Sequence, residues 1–176
     1  MRKLVTIAGL IGASVAANAT IWDLDFVSGL MVGDNEVPAV STTAQGGELG
    51  TGLRYDDGLN KLEISVGYGA FGWAPLEGNF SAAHIHEGSA TENGAIVFNL
   101  GAIHLALGNR AGFFSGVVNL TEAQESVLFA GNYYINIHSA KFPSGEIRGQ
   151  LSVVPEPGTW ALMGIGIGAL VWLRRK

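Results

Sequence analysis

Between Thr20 and Val154, apolar residues fall at every second position in short runs, and glycine or proline breaks each run after a few residues. In Lys61 to Tyr68, for example, Leu62, Ile64, Val66 and Tyr68 alternate with Lys61, Glu63, Ser65 and Gly67. A period of two places alternate side chains on opposite faces of a strand, so such a run buries one face and leaves the other polar. The runs that qualify are Phe26 to Val32, Glu48 to Tyr55, Lys61 to Tyr68, Ser81 to His86, Ala95 to Asn99, Gly112 to Asn119, Asn132 to Ser139 and Glu146 to Val153. Many short strands with glycine-rich turns point to an all-β antiparallel sandwich or barrel. Asp56, Asp57 and Gly58 read as the turn of one hairpin. One stretch breaks the period: Thr121 with Gln124 forms a capping box and Gly131 a stop, which predicts a short helix over Thr121 to Ala130 that caps the barrel through Val127 and Leu128.

The two ends of the chain do not belong to this pattern. Arg2 and Lys3 precede an uncharged run from Leu4 to Ala17 and the triplet Ala17, Asn18, Ala19. That order reads as a cleavable signal peptide over residues 1–19, with the mature chain starting at Thr20. At the other end, Pro155, Glu156 and Pro157 are followed by sixteen uncharged residues, Gly158 to Leu173, and then by Arg174, Arg175 and Lys176. Both faces of that stretch are apolar, and its length falls a little short of the ~20 residues that span a bilayer. It reads as a transmembrane helix with its cationic end held in the cytoplasm. The three parts of the 155–176 tail resemble the PEP-CTERM sorting signal of Gram-negative bacteria. That resemblance implies recognition by an exosortase-type enzyme near the Pro-Glu-Pro step, with a transient or retained inner-membrane anchor and a final place in the envelope or outside the cell. A glycosylphosphatidylinositol tail would end in apolar residues instead.

Residues 20–154 are enough for one domain and too few for two. They hold fourteen Asp and Glu against five Lys and Arg, a balance that argues against nucleic acid or another acidic polymer as partner. The chain has no cysteine, so an exported domain of this kind has to be stable through its core alone, and thiolate chemistry is excluded.

Chemistry concentrates on two strands. In AAHIHEG, Ala83 and Ile85 share one face, and His84 and His86 share the other. In YYINIHS, Tyr133, Ile135 and Ile137 share the core face, which leaves Tyr134, Asn136 and His138 opposite. With the apolar faces inward, all three histidines point outward. Two imidazoles about 7 Å apart at Cα can bind one ion if a neighbouring strand supplies a third ligand, and without thiolates copper(II) or zinc suits them best. After the turn Pro143, Ser144, Gly145, the last strand should fold back on Asn132 to Ser139, with Glu146, Arg148 and Gln150 on one face. That could bring Glu146 or Arg148 near the histidine face, where either could form a cross-strand ion pair on a solvated surface, or Arg148 could hold an anion beside the histidines. No nucleophile elbow, phosphate loop or HExxH helix is present, and the acidic pair Asp56 and Asp57 sits in a turn, so the reading is not an enzyme.

GDNEVPAV (Gly33 to Val40), AHIHEG (Ala83 to Gly88), GNYYINIHS (Gly131 to Ser139) and FPSGEIRGQL (Phe142 to Leu151) resemble, in order, the motifs of the CHRD domain. The resemblance implies an immunoglobulin-like or Greek-key β-barrel that serves as an extracellular interaction module, here one associated with exopolysaccharide or matrix. A more distant similarity runs to Cu/Zn superoxide dismutases, which would make His84, His86 and His138 copper ligands and Arg148 an anion-steering residue. This chain departs from them in having no disulfide and no zinc loop. His104, in the apolar run AIHLAL, is a possible fourth ligand or a strand-edge histidine.

Overall fold

The alternating runs become strands wherever an apolar face can reach a common core. The structure is a computed structural model that describes residues 20–154; the leader 1–19 and the tail 155–176, with its expected membrane helix, lie outside the described residues. In chain order the elements are β1 (Ile21–Phe26), β2 (Met31–Val32), β3 (Gln45–Asp56), β4 (Lys61–Tyr68), β5 (Phe80–Glu87), β6 (Ala95–Asn99), β7 (His104–Ala106), β8 (Gly112–Asn119), α1 (Glu122–Phe129), β9 (Tyr133–Ser139) and β10 (Ile147–Val153). All pairings are antiparallel, and the sheet runs β6-β5-β9-β10-β1-β3-β4-β8-β7, with β2 bridging β10 and β3.

The sheet rolls on itself, so its distant parts share one core. Phe80 at the start of β5 stacks on Tyr68 of β4 and on His104 of β7, at 5.6 Å and 4.1 Å between ring centres. Its backbone N–H donates to the Asn109 carbonyl in the turn between β7 and β8, and Leu76 donates to Arg110. Leu53, Leu62, Ile64, Val66, Ile85, Ile135, Ile137 and Leu151 fill the interior at 0–1 % exposure. Burying each such side chain contributes roughly 1.5–3 kcal/mol, which a domain without disulfides needs.

The helix forms as its cap demands. Thr121 Oγ1 accepts the Gln124 N–H and the Gln124 side chain returns to the Thr121 N–H. Leu128 is fully buried, and Phe129 packs edge-on against Trp22 and Tyr55.

Several strand boundaries differ from the sequence reading. The run Phe26 to Val32 is broken by a turn in which Gly29 has φ +74°, so Phe26 ends β1 and Met31 begins β2. β1 itself occupies Ile21–Phe26, between β10 and β3, and β7 is a three-residue edge strand. The 57–60 loop between β3 and β4 takes its positive φ at Asn60 (φ 55°) and not at Gly58. The larger difference lies in β9, where all seven residues are buried. Both faces of that strand are covered, so the face opposite the core is not a solvated one.

Gly149 lies where β10 crosses Phe26 and Met31. A Cβ there would stand 2.7 Å from Met31 Cγ and closer still to the Phe26 ring. Gly149→Ala should destabilise the domain by about 1–3 kcal/mol through overpacking, and Thr121→Ala by about 1 kcal/mol through the lost cap. Urea unfolding measures both; an unchanged midpoint for Gly149→Ala would mean that Phe26 and Met31 yield without cost.

Candidate metal centre

Strand register decides which polar side chains meet. His84 on β5 lies opposite Asn136 on β9, and Asn136 lies opposite Arg148 on β10. One row along, His86 lies opposite Tyr134 and Tyr134 opposite Gln150, while His138 lies opposite Ala82. The expected hairpin between β9 and β10 thus forms, and β5 brings its two histidines beside His138.

One potential ligand nitrogen from each of His84, His86 and His138 lies within 4.8 Å of the other two. The hydrogen bonds fix the tautomers. His138 Nδ1 stands 3.0 Å from the Pro143 carbonyl, and His86 Nδ1 stands 2.9 Å from the Gly94 carbonyl. A carbonyl only accepts, so both Nδ1 atoms carry the proton and both Nε2 atoms present a lone pair. His86 Nε2 is buried and has no hydrogen-bond partner in the protein. His84 Nδ1 stands 3.1 Å from His138 Nε2 and donates to that lone pair when no ion is present. Two nitrogens bound tetrahedrally to one ion at about 2.0–2.1 Å are about 3.3 Å apart. His84 Nδ1 and His138 Nε2 are therefore close to ligand spacing, and His86 and His138 each have their Nδ1 anchored on a backbone carbonyl, as metal-binding histidines usually have their second ring nitrogen. No thiolate or carboxylate joins the set, which favours copper(II) or zinc.

Two segments cover this face, and they overturn the outward, solvated reading of the histidines: His86 and His138 are each only 8 % exposed. From one side, Asn35 donates to the Arg148 carbonyl, Glu36 accepts from Asn136 at 3.2 Å and Thr42 donates to Glu146. From the other, the strap 88–94 is held by Arg148, Gln150, Tyr134 and His86. Asn93 ties the strap to the Val37 carbonyl.

Neither Glu146 nor Arg148 forms the expected cross-strand ion pair among the described residues. Both are buried, at 0 % and 1 % exposure, and they use different partners. Glu146 Oε1 accepts from the Glu77 N–H at 2.6 Å and from Thr42. Arg148 donates to the Ser89 and Glu92 carbonyls and to Gln150 Oε1, and its guanidinium lies 3.4 Å over the Tyr134 ring. Its two terminal nitrogens face strap carbonyls and not an anion beside the histidines. His104 is not brought to the centre; its Nε2 meets the Tyr68 hydroxyl at 2.8 Å on the far side of the rolled sheet. Glu36, Tyr134, Gly94 and Gln150 are site residues that the sequence reading did not single out. The signals were the bracketing glycines of the strap and the acidic residue within GDNEVPAV.

Burial holds all three imidazoles below the ordinary value, reinforced at His84 by His86, at His86 by Arg148, and at His138 by both other histidines. The bonds to Gly94 and Pro143 oppose the shift without cancelling it. Neutral imidazole is the form that binds metal. Glu36 moves the other way, to about 7, because burial outweighs Arg148 and Asn136, and Glu48 is likewise raised to about 7 by burial and then by Asp25.

Residues 27–151 match the CHRD domain family, and residues 153–176 match the PEP-CTERM protein-sorting motif. The second match marks an exported, envelope-sorted protein that an exosortase-type enzyme processes. No curated protein and no solved structure matches the chain.

Without metal, the unfolded chain protonates its histidines near pH 6.5, whereas the folded domain does so only at lower pH. Their contribution to stability is therefore complete above that value and is lost as pH falls through the folded values. Glu36 and Glu48 have the opposite sign: they cost stability above about pH 7, and that cost disappears towards their ordinary value of 4.5. His138→Gln should flatten the fall in urea midpoint between about pH 7 and pH 5 relative to the unaltered domain, a comparison in which the two glutamates cancel. An identical slope in both proteins would place the pH response elsewhere.

Proposed function

We propose a role for this chain, which belongs to the CHRD domain family and carries a PEP-CTERM sorting motif: it is a non-enzymatic exported domain that takes up one copper or zinc ion on His84, His86 and His138. The observation that carries this reading is the unpartnered, buried Nε2 of His86, a residue that offers a ligand nitrogen within 4.8 Å of those of His84 and His138. A buried polar atom without a partner costs about 1–3 kcal/mol, and a bound ion would offset that cost. Two of the three ligands lie beneath covering segments and only His84 is part-exposed. Such a site suits holding an ion more than presenting it to a substrate.

Delivery is the other half of the proposal. The uncharged stretch 158–173 holds the newly exported chain in the inner membrane until cleavage near Pro155, Glu156 and Pro157, and the domain then resides among envelope or exopolysaccharide material. The order of proline step, apolar stretch and basic end supports this reading.

Metal analysis of the purified domain at micromolar copper or zinc should find about one ion per chain, and His84→Ala combined with His86→Ala should abolish uptake. Absence of uptake by the unaltered domain, or uptake unchanged in the double variant, would overturn the metal reading. Mass measurement of the mature protein should find it to lack Trp160 to Lys176, and recovery of the intact tail would refute processing.

A further inference from the structure

Arg148 is the largest fully buried side chain of the domain, yet it forms no ion pair among the described residues. Removing a guanidinium from water costs several kcal/mol, and an apolar side chain of similar volume would fill the space without that cost. What the guanidinium supplies is a fork of donors, and the fork is spent on the strap: Nη1 on the Glu92 carbonyl at 3.0 Å and Nη2 on the Ser89 carbonyl at 2.6 Å. Gln150, which Arg148 also holds, adds the Gly88 carbonyl.

The strap then ends on Gly94, whose backbone is gripped at both groups. Its N–H donates to the Tyr134 hydroxyl at 3.0 Å, and its carbonyl receives the His86 Nδ1 proton at 2.9 Å. No side chain fits at Gly94, because a Cβ there would overlap the Glu87 carbonyl. Tyr134 joins the two ends of this chain of contacts: its ring lies 3.4 Å from the Arg148 guanidinium carbon and stacks on His86 at 4.9 Å with 8° between planes.

We infer that Arg148 is a positioning residue of the histidine centre: by holding the strap 88–94 against Tyr134, it fixes the Gly94 carbonyl that sets the tautomer of His86 and aims its Nε2 at the ion. The inference rests on the metal reading above. Arg148 acts through His86 alone, since His138 takes its orientation from Pro143, outside the strap. Lysine cannot replace it, because an ammonium offers no planar fork to two carbonyls and does not stack in the same way.

Arg148→Lys tests this, and Tyr134→Phe, which deletes only the hydroxyl that holds Gly94, tests it again should the lysine variant fail to fold. In the metal-free protein, nitrogen NMR of the imidazoles should find His86 as the Nδ1–H tautomer, lost in either variant, with His138 unchanged. Copper or zinc affinity should fall about 10–100-fold in either variant, and should fall no further when His86→Ala is already present. A His86 tautomer unaffected by both variants would overturn the inference. So would an equal loss of affinity in the His86→Ala background, which would mark a general effect on the scaffold. If the unaltered protein takes up no metal, the proposed function fails, and the tautomer comparison by itself still decides the role of Arg148.

Discussion

Covering both faces of β9 is the constraint from which the rest of the domain follows. Its inward face, Tyr133, Ile135 and Ile137, meets the apolar core. Its other face carries Tyr134, Asn136 and His138, and β5 and β10 extend that face with His84, His86, Arg148 and Gln150. Withdrawing so many polar groups from water is costly unless each finds a partner. The segments 33–43 and 88–94 supply those partners, the first through the side chains of Asn35, Glu36 and Thr42 and the second largely through backbone carbonyls. Four unpartnered buried atoms remain on or beside this face: Glu36 Oε1, Asn136 Oδ1, His86 Nε2 and Glu146 Oε2. The three-histidine centre is one consequence of a face that is sealed but not completely satisfied.

This arrangement also answers how a cysteine-free exported domain keeps two loops in place. Surface ion pairs add little: Arg54 with Asp23 and Lys141 with Glu77 are partly or well exposed, and solvent screens such pairs. Instead, the strap is fastened by a buried guanidinium, an amide, a phenol and an imidazole, each bonded to main chain. Bonds from a charged donor inside a low-dielectric interior are stronger than neutral ones. Loop order and ligand orientation therefore share the same hydrogen bonds, and a change in one is transmitted to the other.

Much of the sheet was legible because alternation reports burial directly. β4, β6 and β8 fall on the residues that the period selects, and β10 folds back on β9 as the expected antiparallel hairpin. The helix was legible for a different reason, since a capping box is local chemistry between Thr121 and Gln124. β1 was missed because IWDLDF adjoins the leader and β7 because three residues carry too little pattern. The grouping of His84, His86 and His138 could be anticipated from shared faces on two strands, but not the pairing of β5 with β9 that brings them together, because some fifty residues separate them.

The sequence by itself determined the class of fold, the face on which each histidine stands, the acidic and thiol-free character of the domain and the signals that export and sort it. Alternation, composition and short motifs are properties of neighbouring residues, and they survive without knowledge of the rest of the chain. Only the tertiary structure decided that the histidine face is covered, that Arg148 and Glu146 serve different partners, and which ring nitrogens present their lone pairs. A polar face beneath a loop and a polar face in water have the same period of two. What separates them is the path of segments distant in sequence, and hydrogen bonds to main-chain carbonyls leave no mark on the identity of the residues that accept them.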